Sequence, residues 1–556
     1  MNKRIKSATL CILAAGLLLP VAMAASSDNG NEAAIARNLD TFNTLYKELN
    51  TFYVDTIDTE KSIQTAINAM LGELDPYTEY LPASEQEDFR TMTTGEYGGI
   101  GSYIMQYKDS VLISEPYEDS PAARAGLIPG DVIIKIDNDS TIGWTSEQVS
   151  NKLKGQANST LQVVVSRPYV GELTFNITRE KIRMNSVPYY GVVRDSIGYI
   201  ALSSFTENSP SEVREALLAL KKEPGVKSIV LDLRGNPGGI LESAVQIVGM
   251  FVPKGTQVLQ QRGRVIQNDK TYKTTQDPID DKIPLVVFID GASASASEIT
   301  AGALQDLDRA VVIGSRSFGK GLVQSTRPLP SDGILKVTIA KYYIPSGRLI
   351  QAIDYSHRNP DGSVARIPDS LTTVFKTAHG REVRDGGGIT PDIKVEYPEM
   401  TRLYFNIVRD NWAFNYATRF AHEHDTIASP EEFVITDSIY ADFKKFIDPS
   451  EFKYDKVCED GLEKLKKVAE VEGYMNDSTR AQFDVMAKLL KHDLNKDLDT
   501  HRKEISGILA MEILKRYYYQ RGQAIESLKN DVCLDEVVKL FGKPGEYYRI
   551  LNIEED

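Results

Sequence analysis

Two short apolar runs, Ile229-Val230-Leu231-Asp232-Leu233 and Leu285-Val286-Val287-Phe288-Ile289, constrain the fold of this chain more than any other feature. Each has the length of a buried strand and ends in small, turn-forming residues that open a helix-like segment. Helix-like stretches at 211–222, 239–251 and 297–307 alternate with the strands, so the region from Gly198 onward reads as an α/β layer domain. Strand-to-helix crossings of this kind leave free backbone N–H groups at the helix starts.

That domain is only part of the chain. At 556 residues the protein exceeds what one hydrophobic core serves, and roughly 150 residues per domain suggests three or four units. Ile35, Leu39, Phe42, Leu45 and Leu49, then Ile63, Ile67, Met70 and Leu74, recur at helical spacing, which predicts a helical domain over 30–90. A β-rich module follows over 93–182. It opens with Tyr97-Gly98-Gly99-Ile100-Gly101 and strands at Ser102–Gln106 and Val111–Ser114, and continues through a short helix at 120–127 into a strand Val132–Ile136. The α/β core is assigned to 183–400. Beyond it, apolar spacing through Phe483, Met486, Leu490, Ile505, Leu509, Ile513 and Tyr517 predicts an appended helical domain over 401–556.

The first residues have a different character. Lys3, Arg4 and Lys6 precede an apolar stretch from Ala8 to Leu19 and the small-residue pattern Ala22-Met23-Ala24, so 1–24 reads as a secretory signal cleaved near Ala24. The expected compartment is the periplasm. No cysteine stands at the cleavage site to carry a lipid. The formal net charge of −14 becomes more negative once those three cations leave, which gives nucleic acid or an acidic membrane no electrostatic support as a partner. Cys458 and Cys533 remain after cleavage. They could pair in an oxidising compartment but form no metal-binding cluster. His422-Glu423-His424 lacks the i, i+4 spacing of a helix-face zinc pair, so neither metal nor cofactor is assigned.

Three segments carry candidate chemistry. Gly291-Ala-Ser293-Ala-Ser295-Ala-Ser297-Glu298 can place a hydroxyl at a helix N-terminus, where free N–H groups and the helix dipole stabilise an oxyanion. The same residues also fit an S-x-x-E capping box, and Ser293, Ser295 and Ser297 are all eligible hydroxyls. A serine nucleophile needs a base, yet none of the six histidines precedes His357 or lies in a catalytic-looking motif. Ser317-Phe-Gly-Lys320-Gly-Leu-Val-Gln324 offers a lysine instead, which serves if burial keeps its amine neutral. In an extended segment Lys320 and Gln324 would share a face, letting the amide orient the amine. Arg234-Gly-Asn-Pro-Gly-Gly239 is a second strand-to-helix crossing that could complete an oxyanion hole, or serve only as a tight loop.

Taken in order, Arg234–Gly239, Ser293–Glu298 and Gly319–Gln324 resemble the motifs of the carboxyl-terminal processing (tail-specific) peptidases, family S41. Asp75–Leu81, Gly98–Arg179 and Gly388-Ile-Thr-Pro-Asp392 extend the resemblance to roughly residues 35–395 and leave the C-terminal domain unexplained. The resemblance implies a multidomain α/β protein: a ClpP/crotonase-like serine peptidase core with an inserted PDZ-like β module between N-terminal and C-terminal helical domains. It implies Ser295 as nucleophile, Lys320 as general base, Gln324 as the residue that positions the lysine, and the N–H groups of Gly239 and Ala296 as the oxyanion hole. In the PDZ-like module, Gly99, Ile100, Gly101 and Ser102 would receive the terminal carboxylate of a peptide added to the sheet edge. Ser102 stands where many such loops carry an aromatic residue.

The implied activity is cleavage of protein or peptide substrates that carry apolar C-terminal tails, by an exported enzyme without cofactor. Two alternatives stand beside it: a catalytically silent PDZ adaptor, and a protease held inactive until a tail or a protein activator aligns Lys320 with Ser295. Related enzymes also raise a homodimer through the N-terminal helices.

Overall fold

The structure, a computed structural model, describes residues 29–359 and 361–554, so residues 1–24, read above as a secretory signal, lie outside the described residues. No helix among the described residues is long and apolar enough to cross a membrane. The chain forms two compact units that meet in sequence between Tyr80 and Leu81.

In the first unit, helices Asn29–Phe52 and Thr59–Gly72 form a hairpin, pinned by the Tyr46 hydroxyl on Ser62 Oγ (2.7 Å) and the Thr59 carbonyl (2.9 Å). The apolar stripe of the first helix is not a core. Ile35, Leu39, Phe42, Leu45 and Leu49 are 40–63% exposed. The Asp75–Thr78 stretch is an Asx turn in which the Asp75 carboxylate accepts the N–H groups of Tyr77 and Thr78 and the Thr78 hydroxyl.

The second unit holds everything else. Strands Glu96–Gly99 and Glu180–Arg183 pair and carry the chain into and out of the β module. Its antiparallel sheet runs in the order Ser102–Tyr107, Ser110–Pro116, Val132–Ile136, Thr160–Arg167, Gly171–Thr178. The expected short helix is Pro121–Ala125, capped by Ser120 and closed by Gly126 in the left-handed region (φ 94°). A second helix, Ser146–Leu153, begins with a Thr145/Gln148 capping box.

The core sheet has the order Tyr189–Val193, Ile197–Ala201, Ser228–Asp232, Leu285–Ile289, Ala310–Gly314, Ile393–Lys394; its first pair is antiparallel and the rest are parallel. Helices Ser209–Leu220, Leu241–Val248 and Ala296–Asp306 pack on one face, against Ile229, Leu231, Leu285, Val287 and Ile289. The other face, carrying Val230, Val286, Phe288, Val311 and Ile313, is covered by Leu534, Val537 and Leu540 of helix Val532–Phe541 and by Tyr547 and Leu551 of helix Glu546–Leu551. The apolar runs Ile229–Leu231 and Leu285–Ile289 of the two central strands follow from this two-sided burial.

The last of the appended C-terminal helices therefore also form a layer of the core. The Tyr547 hydroxyl bonds both the N–H (2.9 Å) and the C=O (3.2 Å) of Leu285, where the central strand begins. Upstream, helices Trp412–Glu423 and Arg502–Lys529 hold the β module: Lys515 faces Glu115 at 3.9 Å, His422 stacks on Tyr169, and a Cβ on Gly130 would lie 2.7 Å from Thr418. Buried Arg516 sits behind this contact and donates to the Phe414 carbonyl and the Thr418 hydroxyl. The cysteines are unpaired; Cys458 is exposed, while Cys533 is buried with its thiol 3.2 Å from the Tyr397 hydroxyl. His424 bonds the Phe420 carbonyl and stacks on the Phe420 ring.

Candidate active site

The strand Leu285–Ile289 ends at Asp290, whose carboxylate accepts the N–H groups of Ala292 and Ser293 and reaches across to that of Gly235. The three serines that follow have different surroundings. Ser293 is fully buried; its hydroxyl donates to the Leu233 carbonyl (2.8 Å) and accepts the Asp290 N–H (2.9 Å). Ser297 is fully buried and donates to the Asn236 carbonyl (2.8 Å). Ser295 is partly exposed and holds φ 56°, ψ −111°, a backbone that an L-residue adopts at a cost of about 1–3 kcal/mol unless neighbours enforce it.

Glu298 is one enforcing neighbour. Fully buried one turn into the helix, its Oε2 accepts the N–H of Ser295 (2.9 Å) and the N–H of Lys320 (2.8 Å). Oε1 accepts the Ser317 hydroxyl and the Gly319 N–H (2.7 Å). A second bridge lies on the carbonyl side, where the buried Tyr342 hydroxyl contacts the C=O of Ser295 (3.2 Å) and of Lys320 (2.5 Å). Two segments 25 residues apart are thus clasped by one carboxylate and one phenol. Burial pushes the Glu298 carboxyl up to about 7, against the pull of its four donors.

Arg234–Gly239 packs against the other side of Ser295. Gly238 (φ 104°) approaches so closely that a Cβ there would lie 2.7 Å from the Ala294 carbonyl oxygen, 2.8 Å from Ser295 Cβ and 2.9 Å from Ala296 N. Gly239 (φ 142°) lies against Phe205, whose N–H bonds the Gly238 carbonyl and whose carbonyl takes the Ile240 N–H. Neither bond uses the Gly239 N–H, and Ala296, the first helical residue, has no intrahelical acceptor for its own. Ala296 thus follows Ser295 directly at the helix start, and the Arg234–Gly239 loop touches the Ser295 turn through Gly238, the neighbour of Gly239. At the root of the loop, Arg234 pairs with Asp232 (Nη2 to Oδ2, 2.5 Å) and lies over the Phe288 ring.

Lys320 is half-buried in the loop ahead of strand Leu322–Pro328, and Gln324 lies in that strand. Even spacing does not decide their relation, because Lys320 precedes the strand and a bulge at Val323/Gln324 breaks the alternation. The Gln324 amide donates to Thr338 Oγ1 (3.1 Å). Glu298 and Tyr342 were missed as site residues by sequence reasoning. Glu298 was visible only as a helix cap, and nothing local marks Tyr342.

In the β module, strand Ser102–Tyr107 pairs, among the described residues, only with Ser110–Pro116, and helix Ser146–Leu153 lies beside it. The groove between them is lined by Ile100, Ile104 and Leu153, with Tyr97, Tyr103 and Tyr117 at one end. Gly99 is held in a strand, Gly101 takes φ 73°, and the Ser102 hydroxyl turns back onto the Glu115 carbonyl (3.1 Å).

Family models match three stretches: peptidase family S41 over 196–361, a PDZ domain over 112–167, and the C-terminal helical domain of probable PDZ-proteases over 403–541. A carboxy-terminal-processing protease of Bartonella bacilliformis is 38% identical over 337 residues, covering 60% of this chain and 77% of its own. A probable CtpA-like serine protease of Staphylococcus haemolyticus is 30% identical over 482 residues, covering 84% and 94%. Among solved structures, a photosystem II D1 C-terminal processing protease matches at 28% identity over 64% of this chain and 86% of that one, with a TM-score of 0.36.

Proposed function

The chain belongs to the carboxy-terminal-processing serine proteases of peptidase family S41, and on that premise we propose that it cleaves peptide bonds with Ser295 and Lys320 after its PDZ domain has selected an apolar substrate tail. The observation that carries the Ser-Lys reading is the shared Glu298 oxygen, which ties the backbones of both residues to one point. In the reaction, the neutral Lys320 amine takes the Ser295 proton as Oγ attacks the scissile carbonyl. The N–H groups of Gly239 and Ala296 hold the resulting oxyanion. Collapse expels the amine product, which takes its proton from Lys320, and water then releases the acyl group by the same route.

Tail selection is supported by the edge of strand Ser102–Tyr107, unpaired among the described residues, and the apolar groove beside it, which suit β-augmentation by a peptide ending in an apolar residue. Export follows from the signal-like first 24 residues. The test is degradation of one unstructured protein, carrying an apolar or a doubly acidic tail, by the mature chain and by Ser295→Ala and Lys320→Ala variants. Cleavage by the wild type alone, faster with the apolar tail, supports both parts. Wild-type-level cleavage by Ser295→Ala refutes the site, and equal rates on the two tails refute tail selection.

A further inference from the structure

The C-terminal helical region reaches the active-site loop at one point. Asp531 caps helix Val532–Phe541: its Oδ1 accepts the N–H groups of Cys533 (2.8 Å) and Leu534 (3.0 Å). Its Oδ2 then faces the core and accepts Arg234 Nη2 at 2.7 Å. Both side chains are largely buried, with Arg234 17% and Asp531 8% exposed. Asp232 holds the guanidinium from its own strand, bonding both Nε and Nη2, and is itself held by the Tyr199 hydroxyl (2.6 Å). Phe288, on the strand that leads into the Ser295 turn, supplies the ring beneath the guanidinium. Arg234 is therefore caged between the strand feeding the oxyanion loop, the strand feeding the nucleophile, and a carboxylate from 297 residues farther along the chain.

We propose that Asp531 is a positioning residue for proteolysis, fixing through Arg234 the Arg234–Gly239 loop, which packs on Ser295 through Gly238, and with it the Gly239 N–H. The proposal rests on the oxyanion-hole reading of Gly239. The path from Arg234 to that N–H is short and stiff. The next residue, Gly235, donates to Asp290 at 3.0 Å; Asn236 is buried and bonds the Leu202 carbonyl (2.7 Å) and, through Oδ1, the Gly238 N–H (2.9 Å). Little slack remains to absorb a shift at Arg234. The C-terminal region would thereby supply part of the catalytic apparatus.

The cap and the ion pair are separable by chemistry. Asn at 531 keeps a good N-cap but removes the charge, whereas Glu keeps the charge but caps poorly. The experiment compares wild type, Asp531→Asn and Asp531→Glu for thermal midpoint, for kcat and KM on the apolar-tailed substrate, and for the rate of Ser295 labelling by a fluorophosphonate. The probe's phosphoryl oxygen occupies the oxyanion site, so labelling reads that site directly. We expect Asp531→Asn to lose about tenfold in kcat and in labelling rate with KM within about twofold, since removal of a whole oxyanion donor costs about 10²–10³. Both variants should lower the midpoint, Asp531→Asn by uncovering one side of the buried guanidinium and Asp531→Glu by weakening the cap, yet Asp531→Glu should be the more active of the two however their midpoints rank. Activity that simply follows the thermal midpoint across the variants, or wild-type labelling by Asp531→Asn, overturns the proposal. Failure of the wild type to be labelled at Ser295 would instead strike the Ser-Lys reading itself.

Discussion

Replacing Glu298 by Gln keeps the shape of the clasp and removes its logic. The carboxylate presents two acceptor oxygens to four donors, two on each oxygen. An amide keeps one oxygen, so in either orientation its NH2 group faces two donors that have lost their acceptor. Each buried donor left unsatisfied costs about 1–3 kcal/mol, giving roughly 2–6 kcal/mol in all. One orientation strands the N–H groups of Ser295 and Lys320, the other the Ser317 hydroxyl and the Gly319 N–H, and both loosen the Lys320 loop against the nucleophile turn. At about 1.4 kcal/mol per factor of ten, kcat/KM on the apolar-tailed reporter should fall about 30-fold to 10⁴-fold. Thermal unfolding followed in parallel separates this from global loss of structure. A Glu298→Gln enzyme within about threefold of wild type, at an unchanged midpoint, would refute the idea that this carboxylate aligns the pair.

Further expectations are smaller in scope. Because burial raises the Glu298 carboxyl to about 7, proteolysis should decline as the pH falls below about 7, when the carboxylate takes a proton and loses acceptor capacity. Stability carries the opposite sign: the contribution of this group is full below pH about 4.5 and is lost as the pH rises through about 7, and unfolding midpoints measured across that range should show a slope that Glu298→Gln flattens. Gly238→Ala would press a methyl group to 2.7–2.9 Å from the Ala294 carbonyl, Ser295 and the Ala296 N–H at φ 104°; activity should drop at least about 100-fold while far-UV circular dichroism stays native-like. Tyr547→Phe strands the Leu285 N–H and should lower stability to urea by about 1–3 kcal/mol.

Much of the core was legible because its signals are local. The apolar runs at 229–233 and 285–289 and the small residues after them mark strand-to-helix crossings, and the expected helices at 211–222 and 297–307 lie within two residues of Ser209–Leu220 and Ala296–Asp306. The three-serine turn was legible as a turn. Which hydroxyls were occupied was not, because the acceptors for Ser293 and Ser297 are carbonyls of Leu233 and Asn236, some 60 residues away. Tyr342 and Asp531 were invisible for the same reason, since no pattern in their own neighbourhoods points toward residues 295 or 234. The bulge at Val323/Gln324 shows a limit of period-two reasoning, which assumes an unbroken ladder. The C-terminal helical domain was legible from its apolar spacing, but the cover that its last helices give the core sheet was not. The apolar runs Ile229–Leu231 and Leu285–Ile289, which need cover on both faces, are the signal that points to such a layer.

That cover also sets a timetable. The strands that lead into the Arg234–Gly239 loop and the Ser295 turn leave the ribosome about 240–300 residues before the helices that shield their second face, and domains otherwise fold as units in order of synthesis. Until residues 532–551 arrive, Val230, Val286, Phe288, Val311 and Ile313 have no partner layer and Arg234 lacks its outer carboxylate. A nascent or C-terminally clipped chain therefore holds Ser295 and Lys320 while one face of the core sheet is bare and Arg234 lacks its outer carboxylate.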